Sequence, residues 1–341
     1  MIYRYLREED FMKENNVKVS VICTAYNHEK YIRSALDGFV MQKTTFPFEV
    51  LINDDASTDN TAAIIREYEE KYPEIIKPIY QTENQYSKGV RIGNEILMPK
   101  AKGQYIAYCE GDDYWTDPNK LQKQVDFLDA NPDYVACVHN TLRRDGRGED
   151  LDCIYFKEGN EHDISFEDAI GSFVYHISSL VMRKEFNENF PDFYYIAVSY
   201  GFGDVPKAIW LTLNGKVRFL PEVMSVYRWM SCPDSFTAKT FTDPKRLIRN
   251  YEGEIAMREA IKRHVSEDRV RLLDQTIAKF RFEILIRQGK FAEAKKPPYD
   301  VFWKNMRKNR KTILLMNKYF PGLYPKLKII KSGILKKFRG N

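Results

Sequence analysis

Along the first 140 residues, short apolar runs alternate with stretches whose apolar positions recur every three or four residues. "VKVSVIC" (17–23), "FEVLIND" (48–54), "IIKPIY" (75–80), "QYIAYCE" (104–110) and "YVACVHN" (134–140) read as strands, and Pro78 assigns the third to a sheet edge. Between them, Ile32, Leu36, Phe39 and Val40 share one side of a helix, and Ile65, Tyr68 and Tyr72 share one side of a second that ends at Pro73. Leu121, Val125 and Leu128 form the buried stripe of a third helix, for which Asp117 is the expected N-cap and Pro118 the first helical residue. Strands separated by helices predict an α/β domain with a mainly parallel sheet. The middle, about 141–232, is irregular and aromatic. From about 245 the pattern turns helical, with Met257, Ile261 and Val265, then Leu273, Ile277, Phe280 and Ile284, on successive turns.

Composition narrows the class. The chain has 341 residues, 43% hydrophobic and 14% aromatic, which supports about two domains with a sizeable core and argues against disorder. The net charge of +5 is the balance of a +12 tail, residues 301–341, and a −7 body. Such a tail suits an anionic surface. An acidic body without a recognised module makes nucleic acid an unexpected partner. The five cysteines (Cys23, Cys109, Cys137, Cys153, Cys232) include no CxxC pair and read as buried thiols of a reducing compartment. Residues 1–16 are too charged for a signal peptide, and no run of about 18 apolar residues suggests a membrane span, so the expected location is the cytoplasm.

The chemistry gathers where strands end. "CEGDDYW" closes the fourth strand on Glu110, Asp112 and Asp113, and "INDD" closes the second on Asp54 and Asp55. In parallel sheets ligands bind beyond the carboxyl ends of the strands, so both clusters are expected on one rim. Paired carboxylates suit a hard divalent cation, Mg²⁺ or Mn²⁺, whose charge would compensate their repulsion; a solvated acidic turn is the plainer alternative. Thr24, Tyr26 and Asn27 follow the first strand onto the same rim. Asp204 lies in a Gly-flanked loop before an apolar helix, which it would also suit as an N-cap.

Five stretches in order, "VSVICTAYN", "VLINDDASTDNT", "GQYIAYCEGDDYW", "FGDVPKAIW" and "FLPEVMSVYRW", give the chain a close resemblance to the family 2 glycosyltransferases over about residues 17–230. The resemblance implies a GT-A-type nucleotide-sugar-binding fold, followed here by a C-terminal helical region. With the helical pattern and the charge of the C-terminal part, it divides the chain into a catalytic domain over 1–232 (nucleotide-binding half about 17–140, acceptor half about 141–232), a helical extension over 233–300 and a basic amphipathic tail over 301–341. It implies inverting transfer of a sugar from a UDP-sugar donor to an acceptor hydroxyl, in bacterial surface polysaccharide synthesis.

Carried over by position, Thr24, Tyr26 and Asn27 belong to the donor pocket, and Asp55 resembles the acceptor of the uracil N–H. Asp54 supports that loop or is solvated. Asp113 resembles the direct metal ligand, Asp112 the position facing the metal and the ribose or donor sugar, and Asp204 the catalytic base. In "NQYSKGVRIGNE", Lys88, Arg91 and Asn94 either reach phosphate or ribose or are solvated. Two departures stand out. Met230 occupies the place where many members carry a histidine that completes the metal site, and Gly203 rather than Glu precedes Asp204. His139 and His176 read as structural histidines, although His176, Ser178 and Ser179 fall on the acceptor-side wall. The expected acceptor is a glycan or lipid-linked glycan. In the tail Leu327, Ile330, Ile334 and Phe338 share a face largely separate from Lys328, Lys331, Lys336 and Lys337, the pattern of an interfacial helix on the anionic inner face of the cell membrane; packing onto the protein is the alternative. A non-catalytic binder of nucleotide-sugar or glycan is the rival from another functional class.

Overall fold

The computed structural model describes residues 17–145, 150–153, 160–171, 173–187, 189–229 and 236–319. Met230, Cys232 and the amphipathic segment 327–338 lie outside the described residues. The chain separates into two compact units, one of residues up to 198 with 202–239, the other of 199–201 with the residues from 240 onward.

The first unit is built on a ten-stranded sheet. In chain order its strands are β1 (Val19–Ala25), β2 (Phe48–Asp54), β3 (Ile76–Tyr80), β4 (Tyr105–Tyr108), β5 (Tyr114–Trp115), β6 (Tyr134–Arg144), β7 (Asp150–Cys153), β8 (His162–Ile164), β9 (Val181–Arg183) and β10 (Lys216–Arg228). They lie in the order β3-β2-β1-β4-β9-β6-β10-β5, with β7 on β6 and β8 on β10. β3, β2, β1 and β4 run parallel, and β3 is at the edge, where Pro78 needs no partner. Every residue of β2 is buried, as befits a strand covered on both faces. β9 enters antiparallel between β4 and β6, and the long β10 continues the sheet parallel to β6, giving a mixed sheet beyond β4.

The helices α1 (Ile32–Val40), α2 (Thr61–Lys71) and α3 (Lys120–Ala130) bury the stripes expected of them against this sheet: Ile32, Leu36 and Phe39; Ile65 and Tyr68; Leu121, Val125 and Leu128. α3 starts later than its sequence signals predict. Asp117 and Pro118 form a preceding turn, and Asp117 accepts the Asn119 N–H at 2.7 Å instead of capping the helix from its first position. The middle region is more regular than its pattern suggests. It holds α4 (Phe166–Gly171), α5 (Asp192–Ser199) and α6 (Asp204–Asn214) besides β8 to β10.

Trp115 ties these layers together. It is 1% exposed, meets Phe39 edge-on at 5.0 Å between ring centroids, and donates its indole N–H to the Ser178 carbonyl at 2.9 Å. The buried Lys120 amine lies 4.2 Å from its ring centroid and donates to Gln124 Oε1; burial pushes that amine down to about 7. Trp115 therefore belongs to the core and offers no face to a sugar. Cys23, Cys109 and Cys137 are free, buried thiols as expected.

The second unit is helical: α7 (Phe236–Thr242, shared with the first unit), α8 (Pro244–Ile261), α9 (Glu267–Arg287), α10 (Phe291–Ala294), α11 (Asp300–Asn305) and α12 (Lys308–Tyr319). Asp243 caps α8 by accepting the Lys245 N–H at 2.8 Å, with Pro244 at the first helical position. Lys262 reaches Asp274 at 2.6 Å, and Arg281 reaches Glu259 at 3.1 Å, so ion pairs join α8 to α9. α9 buries Leu273 and Ile277 as predicted, then Phe282 and Ile286 in place of Phe280 and Ile284; Val265 lies beyond the end of α8. Leu314 and Leu315 of α12 pack against the cluster of Phe282, Ile286, Phe291, Ala294 and Met306.

Gly38 of α1 sets how near that helix comes to β5. A Cβ there would lie 2.9 Å from the Trp115 carbonyl oxygen and 3.0 Å from its nitrogen, both backbone atoms that cannot swing away. In an unconstrained helix Gly→Ala would stabilise by about 1 kcal/mol. Here overpacking costs about 1–3 kcal/mol and should win. Gly38→Ala is therefore expected to lower the melting temperature in thermal denaturation followed by circular dichroism; a rise would show that the helix–strand spacing is not fixed by this contact.

Candidate active site

The register of the parallel strands assembles the rim. Thr24 pairs with Asn53, Ala25 with Asp54, and Ile22 with Tyr108, so the loops after β1, β2 and β4 leave the sheet side by side. Two backbone bonds extend the alignment past the strand ends. Asp55 donates its N–H to the Ala25 carbonyl, and Gly111 donates its N–H to the Thr24 carbonyl, each at 2.9 Å. Gly111 has no room for a side chain: a Cβ would lie 2.9 Å from both His28 Nδ1 and Ile32 Cδ1.

The loops after β1 and β2 are stitched to each other. Asn27 donates its N–H to Ser57 Oγ at 2.9 Å, and its side-chain Oδ1 accepts the Thr58 N–H at 2.8 Å. His28 N–H reaches Thr61 Oγ1 at 2.7 Å, and Glu29 N–H reaches Asp59 Oδ2 at 3.0 Å. Asn27 takes a left-handed backbone conformation, φ 54°, which asparagine tolerates better than most residues. Its side chain thus clips two loops together, while Tyr26 beside it is 45% exposed and Thr24 is half-buried.

Asp54 and Asp55 are both buried. Asp54 Oδ2 accepts the Ser57 N–H at 3.3 Å, and its other oxygen has no hydrogen-bond partner among the described residues. Asp55, 2% exposed, accepts the N–H of Gln85 on Oδ1 at 2.8 Å and that of Tyr86 on Oδ2 at 3.1 Å. An ionised carboxylate offers about four lone-pair sites, so two backbone donors leave it capacity for another. Farther along the same segment, Arg91 pairs with Glu95 and places its guanidinium 4.9 Å from the Tyr195 ring centroid.

After β4, Glu110, Asp112 and Asp113 present one carboxylate oxygen each, all within 4.8 Å of one another. An all-oxygen set of this kind fits a hard cation such as Mg²⁺ or Mn²⁺ better than a soft one. Crowding of like charges adds to the effect of desolvation on the carboxyls of this loop. Glu110 is exposed at the surface of the loop, yet the density of protein around its carboxyl, then the charges of Asp112 and Asp204, push it up to about 8. Burial, then the Asp112 charge, holds Asp113 well above the usual carboxylate range against the opposing pull of the Arg228 N–H.

Arg228, at the end of β10, braces this loop. Its N–H donates to Asp113 Oδ1 at 2.8 Å, and its guanidinium donates to the Asp112 carbonyl at 2.5 Å and to Ser34 Oγ at 3.0 Å. The guanidinium also lies 4.4 Å from the Tyr114 ring centroid. Neither Arg228 nor Glu110 was among the expected site residues. Glu110 was legible in the acidic run itself; the role of Arg228 depends on β10 lying against β5.

Asp204 opens α6 but does not cap it. The N-cap is Gly203, and no side-chain capping bond is formed. Burial raises the Asp204 carboxyl, and the Lys207 amine one turn later opposes the rise. Lys207 is itself buried, lies 3.7 Å from the Tyr108 ring centroid and is pushed down to about 7 by burial. The Asp204 charge adds to the rise at Glu110, so the start of α6 lies within electrostatic reach of the acidic loop.

The model of the family described as Glycosyl transferase family 2 matches residues 20–190, half of the chain. An uncharacterized Mycobacterium tuberculosis protein is 37% identical over 218 residues, 62% of this chain and 58% of that protein, so the chain spans little more than half the length of this curated relative. The Escherichia coli UDP-Glc:alpha-D-GlcNAc-diphosphoundecaprenol beta-1,3-glucosyltransferase WfaP is 31% identical over 127 residues, 37% of this chain and 47% of the enzyme. Among solved structures, Staphylococcus aureus TarS in complex with UDP-GlcNAc superposes with a TM-score of 0.57 at 20% identity, covering 86% of this chain and 78% of that one. The Pyrobaculum calidifontis mannosyltransferase PcManGT, in complex with GDP-Man and Mn²⁺, gives 0.56 at 17% identity, covering 89% and 85%. At these identities the two structures speak for the fold alone.

The Glu110 environment has a measurable sign. The folded protein holds this proton more tightly than an unfolded chain, whose carboxyl titrates near about 4.3, so its contribution makes stability fall as pH climbs from there to about 8. Glu110→Gln removes that fall. In EDTA, the melting-temperature advantage of the variant over wild type is expected to widen from about pH 5 to about pH 8 and then level off. Parallel curves for the two proteins would mean the carboxyl is not strained.

Proposed function

The chain belongs to glycosyl transferase family 2, and on that premise we propose that it moves a sugar from a UDP-sugar to an acceptor hydroxyl with inversion. The observation that carries this reading is the gathering of Glu110, Asp112 and Asp113 oxygens within 4.8 Å of one another, within electrostatic reach of Asp204 and on a rim where Asp55 is held by the Gln85 and Tyr86 backbone. Such a site offers a place for a diphosphate and, next to it, a base.

In this reading Asp204 accepts the proton of the acceptor hydroxyl as its oxygen attacks the anomeric carbon. The bond to the diphosphate breaks with its electron pair on the leaving oxygen, and attack opposite that bond inverts the centre. The upward displacement of Asp204 makes it a stronger base near neutral pH than an ordinary carboxylate. Thr24, Tyr26 and Asn27 border the uridine, Asp55 accepts the uracil N–H with Asp54 behind it, and Arg91 turns from Glu95 toward phosphate. Asp113 and Asp112, with Glu110 beside them, would hold Mn²⁺ or Mg²⁺, which supplies Lewis-acid compensation for the leaving diphosphate.

The choice of uridine and of a hexosyl or N-acetylhexosaminyl group is supported by the UDP-Glc in the name of WfaP and by the UDP-GlcNAc bound to TarS. The diphosphoundecaprenol-linked acceptor in the name of WfaP, and the teichuronic acid biosynthesis assigned to a Bacillus subtilis relative 36% identical over 110 residues, support a lipid-linked or free glycan acceptor in surface polysaccharide synthesis. No helix among the described residues is long and apolar enough to cross a membrane. We place the protein in the cytoplasm at the inner face of the cell membrane, held peripherally by residues 327–338 on anionic lipid. The domain division expected from sequence, with catalysis in 1–232, is part of the same proposal.

UDP release from a panel of UDP-sugars, with Mn²⁺ and with EDTA, tests the whole reading. Asp204→Asn is expected to lower turnover by about 10²–10⁴-fold while leaving UDP affinity within about threefold. Near-normal turnover in that variant would remove Asp204 from the chemistry. A wild-type protein that binds UDP but releases none from any donor would be the non-catalytic binder.

A further inference from the structure

His176 stands where packing alone would accept any flat ring. It precedes a short turn at Ile177–Ser179, is buried, and stacks on Tyr227 with ring centroids 4.1 Å apart. Phenylalanine would fill that role without the cost of burying two ring nitrogens. Both nitrogens, however, have directed surroundings. Nδ1 accepts the Ser178 N–H at 3.3 Å and lies 2.8 Å from Ser178 Oγ. A nitrogen that accepts carries no proton, so the hydrogen of the neutral ring belongs on Nε2.

The support behind Nδ1 runs deep. Ser178 Oγ is 3.0 Å from Ser225 Oγ, which is 3.0 Å from Thr141 Oγ1, and all three residues are fully buried. This line of hydroxyls, on the turn, β10 and β6, fixes the ring plane from one side while Tyr227 fixes it from the face. The ring so held turns Nε2 toward Asp113 Oδ2 at 3.6 Å. That is longer than a hydrogen bond, so the contact is the approach of an N–H dipole to a carboxylate. On the other side Asp113 Oδ1 already accepts the Arg228 N–H. The carboxylate is thus addressed on both oxygens by donors that are themselves fixed.

We propose that His176 is a positioning residue for Asp113: with Ser178, Ser225 and Thr141 behind it, its Nε2–H orients the carboxylate and raises the affinity of the Glu110–Asp113 loop for a divalent cation. The inference rests on the reading of that loop as the cation site. Groups that orient a ligating side chain from behind typically account for about 10–100-fold in metal affinity.

Titration of the full-length protein with Mn²⁺ alone, by calorimetry and by the electron paramagnetic resonance of free Mn²⁺, tests it without donor or turnover. His176→Phe keeps the stack on Tyr227 and removes both nitrogens; it is expected to weaken Mn²⁺ binding about 10–100-fold. His176→Gln, which restores an N–H donor, should recover part of the loss, and Ser178→Ala should lose affinity in the same direction by less. If the Phe variant melts earlier but binds Mn²⁺ as wild type does, the ring is structural and the proposal is overturned. Nitrogen modulation in the Mn²⁺ spin echo of wild type that vanishes in His176→Phe would overturn it differently, by making His176 a ligand. A wild-type protein that takes up no Mn²⁺ would remove the cation reading together with the proposal.

Discussion

Like charges brought together at the end of a strand are the constraint around which this fold is arranged. Three carboxylate oxygens from Glu110, Asp112 and Asp113 gather within 4.8 Å, in a loop that the rest of the unit holds still. Arg228 reaches that loop from the far end of β10, and Gly111 lets it pass close to His28 and Ile32. Without such bracing the loop would relieve its repulsion by moving the charges apart. The fold instead keeps them together and shifts the proton affinities of Glu110 and Asp113 upward, so the site has an electrostatic deficit that a cation can fill.

The sheet makes this placement possible at little local cost. β1, β2 and β4 are parallel and in register, so their exits fall on one edge without any loop having to travel. Asp204 comes to the same environment by another route, through the middle of the chain and the start of α6. Its neighbour Lys207 opposes the effect of burial on it, which leaves a carboxylate with a raised but still partly compensated proton affinity. Acidic loop and candidate base are thus supplied by separate elements, and each can be tuned without rebuilding the other.

Much of this was legible in the sequence. The short apolar runs and the spacings of three and four up to residue 140 marked five strands and three helices, and the acids at the ends of the second and fourth strands pointed to a common rim. What stayed hidden has physical reasons. β9 has only three residues, too few to show a period, and it is defined by its antiparallel pairing with β4 and β6, which are distant in sequence. β10 is interrupted by Pro221, and its register with β6 slips between Leu220 and Val223, so a long strand looks like two fragments. The start of α3 was misread because Asp117 and Pro118 form a turn with the same residue types that begin a helix. The approach of His176 to Asp113 was hidden too, because nothing local in the sequence distinguishes a ring aimed at a carboxylate from one that only packs.

The clip between the loops after β1 and β2 has a thermodynamic consequence. Asn27, His28 and Glu29 bind Ser57, Thr61 and Asp59 across the gap, so these loops lose their conformational freedom when the chain folds. A small molecule arriving at this edge meets a surface already in one shape, and the entropy lost on association comes chiefly from the visitor and not from the host.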